Sequence, residues 1–122
     1  MNMKLELVPV PVSDVDRAIT FYTKVGFNLD HDHRVNDQIR FVQLTPPGSA
    51  CSIVIGEGIT EMKPGLQQGL QVVVEDAAAL QKELTEKGIE ASPVQEYPWG
   101  IFTYFSDPDG NKWACQQIVP QK

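Results

Sequence analysis

From Leu5 to Val12 the chain alternates, with Val8, Val10 and Val12 on one side and Leu7, Pro9 and Pro11 on the other. This is the period-two pattern of a half-buried strand. Two prolines remove ladder donors, so the strand belongs at an edge or a seam. The period then changes. Ser13 and Asp14 offer a helix cap, Asp16 follows Ser13 at capping-box spacing, and Val15, Ala18, Ile19 and Tyr22 form one apolar stripe. Gly26 stops that helix. A weak strand over 27–35, a turn at Asn36-Asp37, a strand over 38–45, a turn at Pro46-Pro47-Gly48 and a strand over 50–55 complete a β-α-β-β-β unit.

The same order then returns. A strand over 70–74 leads to Asp76 as a cap, a helix stripe of Ala77, Leu80 and Leu84, and a stop at Gly88. A weak strand over 89–95, a loop at 97–100, strands over 101–106 and 112–118 and an intervening turn at 107–111 close the second unit, and Pro120 begins a tail. The two units match residue for residue at a constant offset of 62: Asp14 with Asp76, Val10 with Val72, Gly26 with Gly88, Pro46 with Pro108, Gly48 with Gly110. The expected organisation is a single domain over 1–122, with one module over about 4–56, a linker over about 57–68 and a second module over about 69–119. Each helix has one apolar face and covers one side of its sheet. The expected fold is α+β, a curved, cup-shaped mixed sheet with helices outside and a pocket on the inner side.

Composition narrows the function classes. The net charge of −6 argues against nucleic acid and anionic membrane as partners. It is compatible with a cationic ligand, although solubility alone explains it. No apolar run reaches the length of a membrane span, and Met1 to Val8 carries polar Asn2, Lys4 and Glu6, unlike a signal peptide. The expected location is the cytoplasm. Cys51 and Cys115 are too few for a disulfide framework, and both sit in apolar patterns as buried free thiols.

The tandem order, the run Asp14-Val-Asp-Arg-Ala-Ile-Thr-Phe-Tyr22, Val25-Gly-Phe27 and Asp107-Pro-Asp-Gly-Asn111 resemble the glyoxalase, bleomycin-resistance and extradiol dioxygenase superfamily. The run Thr45-Pro-Pro-Gly-Ser-Ala-Cys-Ser-Ile53 is similar to a bacterial glyoxalase-like subgroup. Enzymes of that superfamily hold one divalent metal through His, Glu or Gln on the first and last strands of each unit, as a Lewis acid. Carried onto this chain, those positions are Leu7, Ser52, Gly69 and Ala114. Leu, Gly and Ala offer no side-chain donor and neutral Ser is a poor one, so neither metal nor cofactor is expected.

Taking the lost ligand positions as inward-facing, Pro9, Pro11, Gln71, Val73 and Gln116 share their parity. The resemblance places Phe102 and Tyr104 inward on the third strand of the second unit, and the offset of 62 carries this to Arg40 and Val42. The expected ligand-binding residues are Arg40, Ser52, Gln71, Phe102, Tyr104 and Gln116, with Leu7, Pro9, Val42, Val73 and Ala114 as apolar wall and Trp99 at the rim. Arg40 is either a carboxylate or phosphate clamp or a surface residue. Trp113 and Cys115 have the opposite parity and pack on a helix. His31 and His33 share a strand face and either chelate a metal with Asp30 or Asp32 or form a solvated edge. Two functions are carried forward. One is metal-free binding of a small molecule, drug or metabolite, in a cup formed between two chains of a homodimer, as the resemblance implies for bleomycin-resistance proteins. The other is a glyoxalase-like enzyme, a lyase, isomerase or dioxygenase, with either a relocated metal or metal-free acid–base chemistry.

Overall fold

The computed structural model describes residues 1–119; the tail expected from Pro120 lies outside them. The order is β1 (Leu7–Pro9), α1 (Val15–Val25), β2 (Asn28–Arg34), β3 (Arg40–Thr45), β4 (Ser52–Glu57), β5 (Leu70–Val73), α2 (Ala77–Glu86), β6 (Gln95–Tyr97), β7 (Gly100–Ser106) and β8 (Lys112–Ile118). The fold is α+β, with two four-stranded sheets ordered β1-β4-β3-β2 and β5-β8-β7-β6. In each, the first strand runs parallel to the last and every other pair is antiparallel.

Local chemistry sets the helix ends as the sequence suggests. The Asp14 side chain accepts from Arg17 N at 3.0 Å, and Asp76 accepts from Ala79 N at 3.0 Å. Gly26 takes φ 126° and donates to the Tyr22 and Thr23 carbonyls, while Phe27 N returns to the Tyr22 carbonyl at 2.9 Å. Ser13 is no cap: its hydroxyl donates to Asp109 Oδ1 at 2.6 Å. The prolines hold β1 to three residues at a sheet edge. The expected weak strand over 89–95 shrinks to an isolated bridge between Ala91 and Phe105 and the short β6.

The helix-side faces of both sheets feed one core. Val42, Leu44, Ile53 and Ile55 from the first sheet join Phe105, Trp113 and Cys115 from the second, with Ala18 and Tyr22 of α1 and Leu84 of α2. Fully buried side chains such as Leu44, Ile55 and Leu84 contribute roughly 1.5–3 kcal/mol each in transfer free energy. The opposite face of each sheet, here called the open face, lies outside this core. The sheets share no hydrogen-bonded strand pair among the described residues, so within one chain they are two walls rather than a closed cup.

The units meet at two joints that the repeat relates. At the first, the 107–111 turn clasps the β1–α1 corner. Buried Asp107 accepts from the Tyr22 hydroxyl at 2.7 Å, Asn111 Nδ2 at 2.8 Å and Asn111 N at 2.9 Å. Asn111 Nδ2 also reaches the Pro11 carbonyl at 2.7 Å, and Trp113 Nε1 donates to the Tyr22 hydroxyl at 3.0 Å. At the second, Pro46 and Pro47 face the β5–α2 corner across a cleft of about 650 Å³, walled by Val72, Leu80, Phe105 and Trp113 and rimmed by Glu75, Asp76 and Glu83.

Candidate functional site

Strand register decides which side chains reach the open faces. On the second sheet Ala114 pairs with Tyr104 and with Gln71, and Gln116 pairs with Phe102 and Val73. Trp113, Cys115, Thr103 and Phe105 carry the opposite parity and are buried. Gln71, Val73, Phe102, Tyr104, Ala114 and Gln116 therefore share the open face, as expected.

The first sheet differs. Gln43 pairs with Val54 across a separation of 11 residues, whereas Phe102 pairs with Gln116, the residue 62 beyond Val54, across 14. The second hairpin is three residues longer, and an odd change flips a strand's faces. Gln43, not Arg40, is thus the counterpart of Phe102. Val42 is 0% exposed in the core. Arg40 lies on the helix face, where it donates to Asp32 at 2.9 and 3.0 Å and to Asp16 of α1 at 3.0 Å. Those bonds, first Asp32 and then Asp16, push the guanidinium further above its already high value. The inward placement of Arg40 and Val42 is corrected: Phe41, Gln43 and Thr45 share the opposite face of the sheet with Ser52 and Val54, both of which are buried there. The alternation of polar Gln43 and Thr45 with apolar Val42 and Leu44 carried this signal, and the uniform offset overrode it.

On the first open face the polar groups are linked. Gln43 Nε2 donates to Ser52 Oγ at 3.1 Å, the Ser52 and Thr45 hydroxyl oxygens are 2.6 Å apart, and the Thr45 hydroxyl donates to Asp30 Oδ2. Asn28 Nδ2 donates to Asp30 Oδ1 at 2.7 Å. The Thr45 bond, then the Asn28 bond, hold the Asp30 carboxyl below its usual range. His31 and His33 pair with Gln43 and Phe41, so both lie on this face and are exposed. No third donor joins them: among the described residues no group of three or more His, Cys, Asp or Glu could hold a metal ion.

The second open face is aromatic. Trp99 stacks on Tyr97 at 5.1 Å and 6°, Tyr97 meets Phe102 edge-on at 5.7 Å, and Phe102 stacks on Tyr104 at 5.8 Å and 8°. Trp99 sits in a two-residue turn between β6 and β7 and is 59% exposed. Sequence reasoning missed Tyr97 by reading it as loop. Gln71 Nε2 donates to Gln116 Oε1 at 2.8 Å, and Gln116 Nε2 donates to the Trp99 carbonyl at 2.9 Å. Gly100 admits this amide: an added Cβ would lie 2.5 Å from Gln116 Nε2. Cys115 is fully buried, and burial pushes its thiol up to about 12. Cys51, expected to be buried, is half-buried instead.

Register also moves one of the four positions that the resemblance assigned to a metal. Leu7 pairs with Ser52 as Gln71 pairs with Ala114, so Gln71 rather than Gly69 is the counterpart of Leu7. Leu7 and Ala114 supply no donor atom, Ser52 Oγ is engaged with Gln43 and Thr45, and Gln71 Oε1 alone is left. This donor set does not fit a divalent ion.

The model of the Glyoxalase/Bleomycin resistance protein/Dioxygenase superfamily matches residues 4–115, and the chain belongs to that superfamily. It is similar to TnmS3, an antibiotic binding protein from Streptomyces sp. CB03234, with 34% identity over 97% of this chain and 98% of that one and a TM-score of 0.88. A superfamily member from Sphaerobacter thermophilus DSM 20745 shares 31% identity over 95% of this chain and 98% of that one, with a TM-score of 0.85. The uncharacterized protein YetH of Bacillus subtilis (strain 168) is 30% identical over 96% of this chain and 100% of its own length. No helix among the described residues is long and apolar enough to cross a membrane.

Proposed function

We propose that this protein binds a small planar organic molecule, an antibiotic or a metabolite, without a metal and sequesters it in the cytoplasm. The observation that carries this is the ladder Trp99–Tyr97–Phe102–Tyr104 on the sheet face turned away from the shared core, with Trp99 and Tyr97 exposed at its outer end, in a chain 34% identical to an antibiotic binding protein. Flat ring systems gain about 0.5–1.5 kcal/mol per aromatic pair beyond area burial. The open faces of one chain lie outside its shared core, so each is a single wall. A cup needs a second copy, the polar wall of one chain opposing the aromatic wall of its partner. Val73 at 66% and Ile118 at 62% exposure add apolar area for that contact.

The test is a thermal-shift and calorimetric screen of planar antibiotics and aromatic metabolites, with sedimentation equilibrium alongside. Saturable binding at one ligand per chain, lost about tenfold or more in Trp99→Ala, supports the reading. A monomer that binds no planar compound, or binding indifferent to Trp99→Ala, sinks it.

A further inference from the structure

We infer that this cup selects ligands that donate hydrogen bonds, such as phenols, alcohols and primary amines, over ligands that only accept them. The inference rests on the cup proposed above and follows from counting protons on its two walls.

On the first wall, Asp30 sits at the bulge between Leu29 and His31 and accepts from Thr45 and Asn28. A carboxylate only accepts, so the Thr45 hydroxyl proton is committed to it. The 2.6 Å contact between Thr45 and Ser52 oxygens still needs one proton, and only Ser52 can supply it. Ser52 Oγ must then accept from its other neighbour, which fixes the nitrogen of the Gln43 amide toward Ser52. The chain runs one way, from Gln43 through Ser52 and Thr45 to Asp30. Its outer end is Gln43 Oε1, which accepts no hydrogen bond among the described residues.

The second wall has the same polarity. The Trp99 carbonyl only accepts, so Gln116 turns its nitrogen there and its oxygen toward Gln71 Nε2. The outer end is again a carbonyl, Gln71 Oε1. Each terminal amide retains one unspent N–H, but each carbonyl offers two lone pairs with no donor to fill them among the described residues. His31 and His33 on the first wall and the Tyr104 hydroxyl on the second each bring a donor together with an acceptor, which leaves the surplus of carbonyl acceptors in place, and the arginines and Lys112 stand elsewhere. Arg34 and Arg40 are paired to Glu57, Asp32 and Asp16 on the helix face. Lys112, the one cation of open-face parity on β8, stands at the opposite end of that strand from Gln116 and Ile118. A carboxylate ligand could use only the single spare N–H of each amide and would leave both carbonyl lone pairs unfilled, and leaving such acceptors unpaired on binding is costly.

Three probes separate the possibilities by calorimetry on the intact protein. Proflavine and acridine orange share a cationic tricycle, but proflavine carries primary amines where acridine orange carries dimethylamino groups; 9-anthracenecarboxylate is an acceptor-only anion. Proflavine should bind about tenfold tighter than acridine orange despite its smaller apolar area, with 9-anthracenecarboxylate weakest. Gln43→Leu and Gln71→Leu should each shrink the preference to about threefold and together abolish it. Ser52→Ala, which frees the Gln43 amide to turn, should shrink it without removing a group at the outer end. Trp99→Ala should weaken all three probes by a similar factor. Equal binding of proflavine and acridine orange, or tightest binding of the carboxylate, with Trp99→Ala still weakening each, overturns the polarity and leaves the cup standing. If no probe binds, both fall.

Discussion

The two joints between the units start from related sequence and end in opposite states. The 107–111 turn presents Asp107 and Asn111 to Tyr22, Trp113 and the Pro11 carbonyl, and every one of those polar groups is satisfied in a dry interior. Its counterpart presents Pro47 and Ser49 where Asp109 and Asn111 stand, opposite Leu84 where Tyr22 stands. The Ser49 hydroxyl turns back on its own loop to the Cys51 carbonyl at 2.8 Å, and the cleft of about 650 Å³ stays open. A buried polar network specifies one geometry because any other strands its donors. Apolar contact around a cleft specifies much less. One joint therefore fixes how the units sit, and the other tolerates adjustment.

The largest expected effect is at the fixed joint. Asp107→Ala strands the Tyr22 hydroxyl, the Asn111 amide and the backbone N–H groups of Asp109 and Asn111, and should cost about 3 kcal/mol or more by urea denaturation, while Ser49→Ala at the counterpart stays within about 0.5 kcal/mol. Similar costs at the two sites would erase the contrast. Alkaline titration compares them next. Cys115, in the floor of the cleft, is held at about 12, and Tyr22 at the fixed joint is raised by burial first and then by Asp107. For groups raised in the fold, the unfolded chain loses its proton first. Stability should be flat below about pH 8.5, then fall by about 1.4 kcal/mol per pH unit, and steepen above about pH 10 as tyrosine in the unfolded chain ionises. Cys115→Ala should delete the first limb alone, as read from denaturation midpoints across pH. Tyr22→Phe, which leaves Trp113 Nε1 without its acceptor, should cost about 1–2 kcal/mol. The smallest effect is a gain. Ala79 lines the cleft on α2, and Ala79→Leu should stabilise by about 0.5–1 kcal/mol through filling it. Destabilisation there would show that the cleft is already closed in solution.

Most of the fold was legible because its punctuation is local. Asp14, Asp76 and Gly26 mark helix ends through bonds made within a few residues, and the helix stripes follow from a single period. The second wall of the candidate site was legible for a related reason: β7 and β8 alternate cleanly, so one residue of known direction orients the rest. The first wall was not. Its direction was borrowed through the repeat from Phe102 and Tyr104, and the borrowing crosses a hairpin whose length differs by an odd number. The helix-side placement of Arg40 depends on Asp16 and Asp32, partners 24 and 8 residues away that no local pattern announces. Tyr97 was lost because a three-residue strand at a sheet edge carries too little periodicity to stand out from its turn.

The unequal hairpins have a practical meaning for duplicated folds of this kind. Adding or removing an odd number of residues behind a binding strand exchanges its lining for its packing layer in one event, without replacing any side chain. Two descendants of one unit can thereby present unlike chemistry, here an amide–hydroxyl relay on one sheet and a column of rings on the other, while the caps and corners that make them fold are left untouched. Loop length, more than point substitution, is then the coarse control on what such a protein holds.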